Sequence, residues 1–466
     1  MDSNKSKHFK GKGWNGIAIQ LKEKENFDLL NLVQMNPDKY PYFLESSSRG
    51  NLLNRYSIIF YKPEVLLIKN SEHIEFLEGF DKLWDKNKVE QDEMIYEGNR
   101  IPFYGGWFVY LGYEIVKEIE KKIVTPKSPY LLPDAFAARA NTSIIYDHVK
   151  RILILTSDKD FFSEDFDDIL SDLDKAKFTQ ESFKSKGSVK IFSKGTSTEH
   201  QTQVKSCIDY IYQGEIFQAN LSRLWRFKVD DELTDIDIYR QLREKNPAPF
   251  SGIVKYEKSS IISSSPERLI SISGDHLQTR PIAGTRPRGA SGIVDIELTK
   301  ELINSDKEKA EHLMLVDLER NDISKVCEPG SVRVDEMMSI ETYAHVHHIV
   351  SNISGKKRKN INPGEIIKSV FPGGTITGCP KVRCMEILAE LEKEGRGPYT
   401  GSFGYVTHSG NMDINILIRT ILKESNDLFF RAGGGIVADS IPQNETLETE
   451  AKANGMLKAV GSFKDE

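Results

Sequence analysis

The sequence predicts an α+β protein built on long antiparallel sheets, and three observations carry that prediction. Short β-rich runs bounded by turn residues fill most of the first 160 residues. The mixture of strands and helices along the chain favours long antiparallel sheets over βαβ units. The aromatic, glycine-rich segment Pro102–Tyr113 reads as a packed strand with close backbone neighbours, where core is the better reading than cofactor site.

In chain order, residues 1–13 are polar and expected to fray. Gly11-Lys-Gly-Trp-Asn-Gly16 matches GxGxxG, but a basic tail precedes it where a dinucleotide fingerprint needs a strand, so it is discounted. Ser57–Tyr61, Val65–Ile68 and His73–Leu77 read as strands. Ser143–Tyr146 and Ile152–Thr156 form a hairpin around Asp147–Lys150, and Ser163–Lys175 reads as a solvated acidic helix. The polar 176–200 stretch divides an amino-terminal segment, 20–175, from a carboxy-terminal segment, 195–462. Helices are expected over Glu199–Gln213, ended by Gly214, and over Thr234–Arg243, with Thr234 as cap. Strands follow at Ser251–Lys255, Ser259–Ser264 and Leu269–Ser273. Glu301–Asp317 is helical. Asn362-Pro-Gly-Glu365 is a capped helix start with proline at the first helical position, and Pro380 opens another helix reaching about Lys393. Strands at Gly401–Thr407, Asp413–Leu422 and Leu428–Ala432 precede a last helix from Glu445 to Val460.

The composition is that of an ordinary soluble protein: 466 residues, 39% hydrophobic, 28% charged. A net charge of −6 leaves no basic footprint for nucleic acid, so an anionic substrate would need a local positive field. No apolar run approaches membrane-span length, and the start is not a signal peptide. Cys207, Cys327, Cys379 and Cys384 form no CxxC and no regular framework, which reads as reduced, cytoplasmic thiols.

Several constellations could carry chemistry. Pro281-Ile-Ala-Gly-Thr-Arg-Pro-Arg-Gly289 joins a rigid entry to a Gly284-Thr285 pair that permits close ligand approach. Glu308 and Glu311 stand at i and i+3 on one helix; Glu445, Glu448 and Lys452 stand at i, i+3 and i+7 on another. Each pair alone reads first as a solvated face. Four carboxylates together suit a hard cation such as Mg²⁺. Phe371–Lys381 is a glycine-rich loop entering a helix N-terminus, favourable for a carboxylate or phosphate, with Lys381 adding charge; its spacing is not that of a Walker loop. Ala432-Gly-Gly-Gly-Ile436 offers bare backbone. Arg419 is a charge inside an otherwise apolar strand and needs a partner, for which a substrate carboxylate is suitable. Glu267 follows a proline turn and is a candidate general acid. His345, His347 and His348 make a poor metal set, because a strand puts His348 on the face opposite the other two. No cysteine has a nucleophile's glycine-flanked context, so the chain is not expected to hydrolyse glutamine.

Taken together, these motifs resemble the chorismate-utilising enzymes: anthranilate synthase component I, aminodeoxychorismate synthase component I, isochorismate synthase and salicylate synthase. The resemblance is strong over about 197–460 and weaker over about 25–160, where Tyr42–Ser46 and Pro102–Tyr113 look like the aminating members. It implies two large antiparallel sheets packed as a sandwich, flanked by helices. By motif, it implies that Glu311 and Glu448 bind Mg²⁺, supported through water by Glu308 and Glu445, and that the metal anchors the ring carboxylate of chorismate. Arg419, Tyr399, Lys452 and the backbone of Gly433, Gly434 and Gly435 would hold the enolpyruvyl carboxylate. Glu267 would protonate the departing C4 hydroxyl, with His348 and Thr285 near the ring.

The water-adding members place a lysine base where this chain has Gln218. Ammonia needs no such base, so Gln218 argues for amination. Local spellings such as Gln218-Ala-Asn220, Ser264-Ser-Pro-Glu-Arg268, Val346-His-His348 and Pro372–Thr377 look more like aminodeoxychorismate synthases. Ala283, where those enzymes often carry an attacking lysine, looks like anthranilate synthases instead. The resemblance implies ammonia supplied by a separate glutamine amidotransferase subunit. Glu45-Ser46 falls where anthranilate synthases bind tryptophan.

Overall fold

The computed structural model describes residues 6–11, 13–21, 27–48, 55–70, 73–89, 94–158, 164–176, 189–230, 232–289, 291–342 and 346–461. Among these, the strands form a 13-stranded and a 10-stranded sheet, with a two-stranded ribbon at Ile95–Tyr96 and Asn99–Arg100. The pairings within both are antiparallel, as the sequence predicted.

Pleating explains how one strand serves two cores. In Tyr56–Tyr61, Ile58 and Phe60 enter a core between the sheets, whereas Ile59 and Tyr61 enter a core under outer helices. The inter-sheet core is aromatic: Tyr42 of the first sheet stacks on Phe108 of the second with ring centroids 4.3 Å apart. Helices Glu164–Ala176, Asp235–Lys245 and Pro442–Val460 cover the outer face of the first sheet. Phe76–Asn87, Asp306–Ser324 and Pro363–Val370 cover that of the second.

The two sequence segments interleave. Tyr42–Glu45 pairs with Phe250–Tyr256 in the first sheet, with Phe43 opposite Ile253. Gly106–Leu111 pairs with Ser402–Thr407 in the second, with Tyr110 opposite Phe403.

Several local expectations are corrected. Ser6–Gly11 is a strand paired antiparallel with strand Trp14–Gln20, so the described residues around the GxGxxG match are strand on both sides and not the start of a helix. The expected His73–Leu77 strand gives way to a helix starting at Phe76. Its buried Phe76, Leu77, Phe80 and Trp84 have helical spacing, and the Glu118 carboxylate accepts from the N–H groups of Phe76 and Leu77, both at 2.7 Å. The acidic helix is Glu164–Ala176, and it is amphipathic: Phe166, Ile169 and Leu173 are buried. Glu301–Asp317 is two helices, Gly292–Asn304 and Asp306–Ser324, because the Ser305 side chain accepts from Glu308 N and starts a new one. The final helix begins at Pro442, not Glu445. The expected Asp413–Leu422 strand is broken: Met412–Asn415 belongs to the second sheet and Thr420–Glu424 to the first.

Candidate active site

That break creates the site. The chain passes from the first sheet to the second at Pro266-Glu267, between strands Ser259–Ser265 and Arg268–Ser273, and returns at Ile416–Arg419. The two crossings are tied together: Ile416 N donates to Glu267 O at 3.0 Å, and Ser264 N donates to Arg419 O at 3.2 Å. Glu267 and Arg419 therefore meet at one seam although they are far apart in sequence. Arg419 adopts a left-handed φ of 51°, so it is not a strand residue as the sequence suggested.

Glu267 is 4% exposed, and burial pushes its carboxyl up to about 7; Thr375, the Ile282 N–H and the Arg419 charge oppose the rise only in part. Burial also depresses the Arg419 guanidinium. Arg419 is half-buried, and its guanidinium donates from Nη1 to Asn246 Oδ1 over a long 3.4 Å. A cation so placed favours an anionic ligand.

Beside this seam, strand Ile282–Pro287 bulges against Val346–Lys356 between Ala283 and Thr285. Gly284 sits at the bulge with φ of 66°, and a Cβ there would come within 3.0 Å of Glu308 Oε2 and of Leu302 Cδ1. Ala283 is opposite Ile349 and nearly buried. Thr285 Oγ1 lies 2.9 Å from His348 Nδ1. Burial, then the charge of Arg419, hold His348 down to about 3, so it is a neutral imidazole at physiological pH. The other described histidine of the trio, His347, points the opposite way, to Asp295 at 2.9 Å and Thr342 at 2.8 Å. His347 and His348 thus lie on opposite faces of the strand, as expected, and do not form a metal pair; His345 lies outside the described residues.

The glycine run lets helix Pro442–Val460 close on the first sheet. Gly433, Gly434 and Gly435 pair with Ser222, Leu221 and Asn220. A Cβ on Gly435 would lie 2.1 Å from Gln218 Nε2; one on Gly434 would lie 3.3 Å from Glu448 Oε1; one on Gly433 would lie 2.7 Å from the Tyr399 hydroxyl. Lys452 Nζ donates to Gly433 O at 3.0 Å and pairs with Glu448 at 2.7 Å.

The four carboxylates line this cleft, each with a protein donor: Gln218 Nε2 to Glu311 at 2.6 Å, Arg286 Nη1 to Glu308 at 3.1 Å, Ser440 Oγ to Glu445 at 2.7 Å, and Lys452 to Glu448. Burial raises both Glu311 and Glu445, and neighbouring carboxylates add to it. Among the described residues no three His, Cys, Asp or Glu side chains converge closely enough to hold a metal ion. The all-oxygen donor set nonetheless has the chemistry a hard divalent cation takes.

Lys381 is not the free ligand charge expected from the sequence. It pairs with Asp322 and donates to Pro372 O at 2.8 Å, while Gly373 and Gly374 pack against Ile416 and Leu318, so the glycine-rich loop is a packed floor. Glu319 was not among the expected site residues. This buried residue, on the inner face with Leu315 and Val316, pairs with the Thr279 hydroxyl, and burial raises it to about 8. Its place at i+4 from Leu315 was the available signal. Glu45 accepts from the Tyr239 hydroxyl at 2.6 Å and from Arg243 at 2.9 Å, and it lines a cavity of about 250 Å³ between the sheets.

Fold and site define an enzyme class: an antiparallel sandwich that sets a buried carboxyl, held well above its ordinary range, and a half-buried arginine beside a group of four carboxylates. The chain belongs to the chorismate binding enzyme family, which matches residues 40–458. It is 35% identical to anthranilate synthase component 1 of Aquifex aeolicus, covering 95% of this chain and 91% of that one. It is 36% identical to aminodeoxychorismate synthase component 1 of Bacillus subtilis, covering 95% and 96%. In structure it is similar to anthranilate synthase component I of Streptococcus pneumoniae, with TM-score 0.75 and 27% identity over 94% and 95% of the two chains.

Proposed function

We propose that this chain is an aminodeoxychorismate synthase component I, replacing the C4 hydroxyl of chorismate with ammonia to give 4-amino-4-deoxychorismate for p-aminobenzoate and folate synthesis. The observation that carries amination is Gln218: the position at which a water-activating base would stand holds a neutral amide that donates to Glu311; the spellings Ser264–Arg268, Val346–His348 and Pro372–Thr377 favour C4 over C2. Ammonia is nucleophilic without a base.

In this reading Arg419, Lys452, Tyr399 and the Gly433–Gly435 backbone hold the enolpyruvyl carboxylate. Glu308, Glu311, Glu445 and Glu448 would hold Mg²⁺, which when bound supplies neutralising charge for the ring carboxylate. Glu267 gives its proton to the C4 oxygen as that bond breaks, so the hydroxyl leaves as water; ammonia forms the new C–N bond and loses a proton. His348, oriented by Thr285 and neutral, lies beside the ring without adding a competing charge. Ammonia would come from a glutamine amidotransferase subunit. Burial raises all four thiols of this chain, Cys207 to about 12 and Cys327 to about 11, the opposite of what a glutamine-hydrolysing nucleophile needs. Among the described residues no helix is long and apolar enough to cross a membrane, and a cytoplasmic location is part of this reading.

Ala283 favours a second reading, anthranilate synthase component I, which aminates C2 and eliminates pyruvate. The experiment is purified protein with chorismate, Mg²⁺ and an ammonium salt. A product that becomes p-aminobenzoate only after the downstream lyase is added supports C4 amination; fluorescent anthranilate without lyase rejects it. Two variants extend the test. Ala283→Lys shifts the ratio of C4 to C2 products, read by chromatography; an unchanged ratio places regiochemical control elsewhere. Glu448→Gln raises the Mg²⁺ concentration for half-maximal rate by roughly 10-fold or more with an unchanged melting curve, and an unaltered Mg²⁺ titration removes this residue from the metal set.

A further inference from the structure

The helix that carries Glu445, Glu448 and Lys452 is gripped from another side. Arg223 lies in strand Gln218–Val229 and is 3% exposed. Its Nη1 donates to Thr449 Oγ1 at 3.1 Å, to Glu450 Oε1 at 3.3 Å and to the Thr446 carbonyl at 3.5 Å. Its Nη2 donates to Gly195 O at 2.8 Å, and the guanidinium lies over Trp225, 5.1 Å from the ring centroid. His200, from helix Ser197–Tyr212, completes the grip with Nδ1 2.8 Å from Thr446 Oγ1. The Thr446 hydroxyl gives its one proton to Pro442 O at 2.9 Å, so the imidazole is the donor in that pair. Burial holds His200 down to about 4, which keeps it neutral.

Residues 446, 449 and 450 stand roughly a third of the way round the helix from 445, 448 and 452. The other side carries Glu445 and Glu448; the Glu448 charge bears on Glu311 of the Asp306–Ser324 helix, a like-charge contact that disfavours close approach, while Lys307 of that helix offsets the charges of Glu311 and Glu445. Lys452 is the cation the helix itself supplies there. The opposing hold comes from Arg223, whose planar fork fixes direction as well as distance.

We propose that Arg223, with His200, is a positioning residue for the carboxylate cleft: its fork sets the rotation and depth of helix Pro442–Val460, so that Glu445 and Glu448 oppose Glu308 and Glu311 around a hard divalent cation. This rests on the cation reading of the four carboxylates. The test uses the full-length protein and Mg²⁺ alone, titrated by calorimetry, with Mn²⁺ followed by electron paramagnetic resonance as a spectroscopic readout. Arg223→Met removes the arginine's hold, and Thr449→Val removes one of its bonds to the helix without touching the arginine and with nearly unchanged volume. Arg223→Met raises the Mg²⁺ dissociation constant roughly 10- to 100-fold and Thr449→Val by a smaller, several-fold factor, and both broaden the distribution of Mn²⁺ environments. Variants that melt earlier but bind Mg²⁺ with the wild-type constant overturn the proposal, since Arg223 is then a fold contact alone. If Arg223→Met does not fold, Thr449→Val decides by the same criterion. A wild-type protein that binds neither cation overturns the carboxylate reading, and the grip's role with it.

Discussion

Glu267→Gln is expected to lower kcat by about 10²- to 10⁴-fold, the range for removing a positioned general acid, while the protein folds normally. The amide matches the carboxyl in shape but has no proton for the departing oxygen. The pH dependence has a definite sign. The acid works in its protonated form, and burial puts its titration at about 7, so in the wild type kcat is flat below that value and falls roughly tenfold per pH unit above it. A second readout moves the other way. A carboxyl whose folded value is about 7 against an ordinary 4.5 favours its neutral form in the native state. Native stability is therefore retained below pH 4.5 and declines as pH rises through 7, with a full cost of roughly 3 kcal/mol at pH 8. Glu267→Gln removes that ionisation, so the variant should melt above wild type at pH 8, and the gap should close towards pH 4. Equal melting curves at both pH values, or a retained kcat, would reject Glu267 as the acid.

Arg419→Met is expected to raise KM for chorismate by roughly 30- to several-thousand-fold, corresponding to about 2–5 kcal/mol for removing one side of a desolvated charge pair. If the guanidinium holds a carboxylate that does not react, kcat changes far less than KM, the mark of binding shared by ground and transition states. The Asn246 contact is long, and burial already disfavours the charge. Replacing the guanidinium with an apolar chain should therefore leave the melting temperature unchanged or raise it. A large drop in kcat at unchanged KM would assign Arg419 to the chemistry instead.

How far the sequence displayed these features depended on distance along the chain. Glu267 after Pro266 and the carboxylate pairs at i and i+3 are local patterns, and each lies where its local element implies. The family resemblance added the sandwich, which no periodicity encodes. Arg419 was legible as an unusual charge but not as a crossing residue, because the apolar runs on either side are buried in different sheets and burial pattern does not record which sheet. The break at Ser305 was written in the sequence: Ser305-Asp-Lys-Glu308 has the spacing of a helix start, hidden inside a longer helical pattern. The pairing of Lys381 with Asp322, Arg286 with Glu308 and Arg223 with Thr449 joins separate elements, and nothing short of the topology brings those partners together.

The interleaving of early and late strands also governs how this polypeptide can be made. Tyr42–Glu45 finds its neighbour only when residues near 250 exist, and Gly106–Leu111 waits for residues beyond 400. The first third leaving the ribosome therefore has two strand edges without their native partners and an aromatic face with nothing to cover it. Contacts of such long sequence separation make folding slow and expose the nascent chain to aggregation. The protein is expected to depend on chaperones during synthesis, and its amino-terminal 160 residues, expressed alone, to be insoluble.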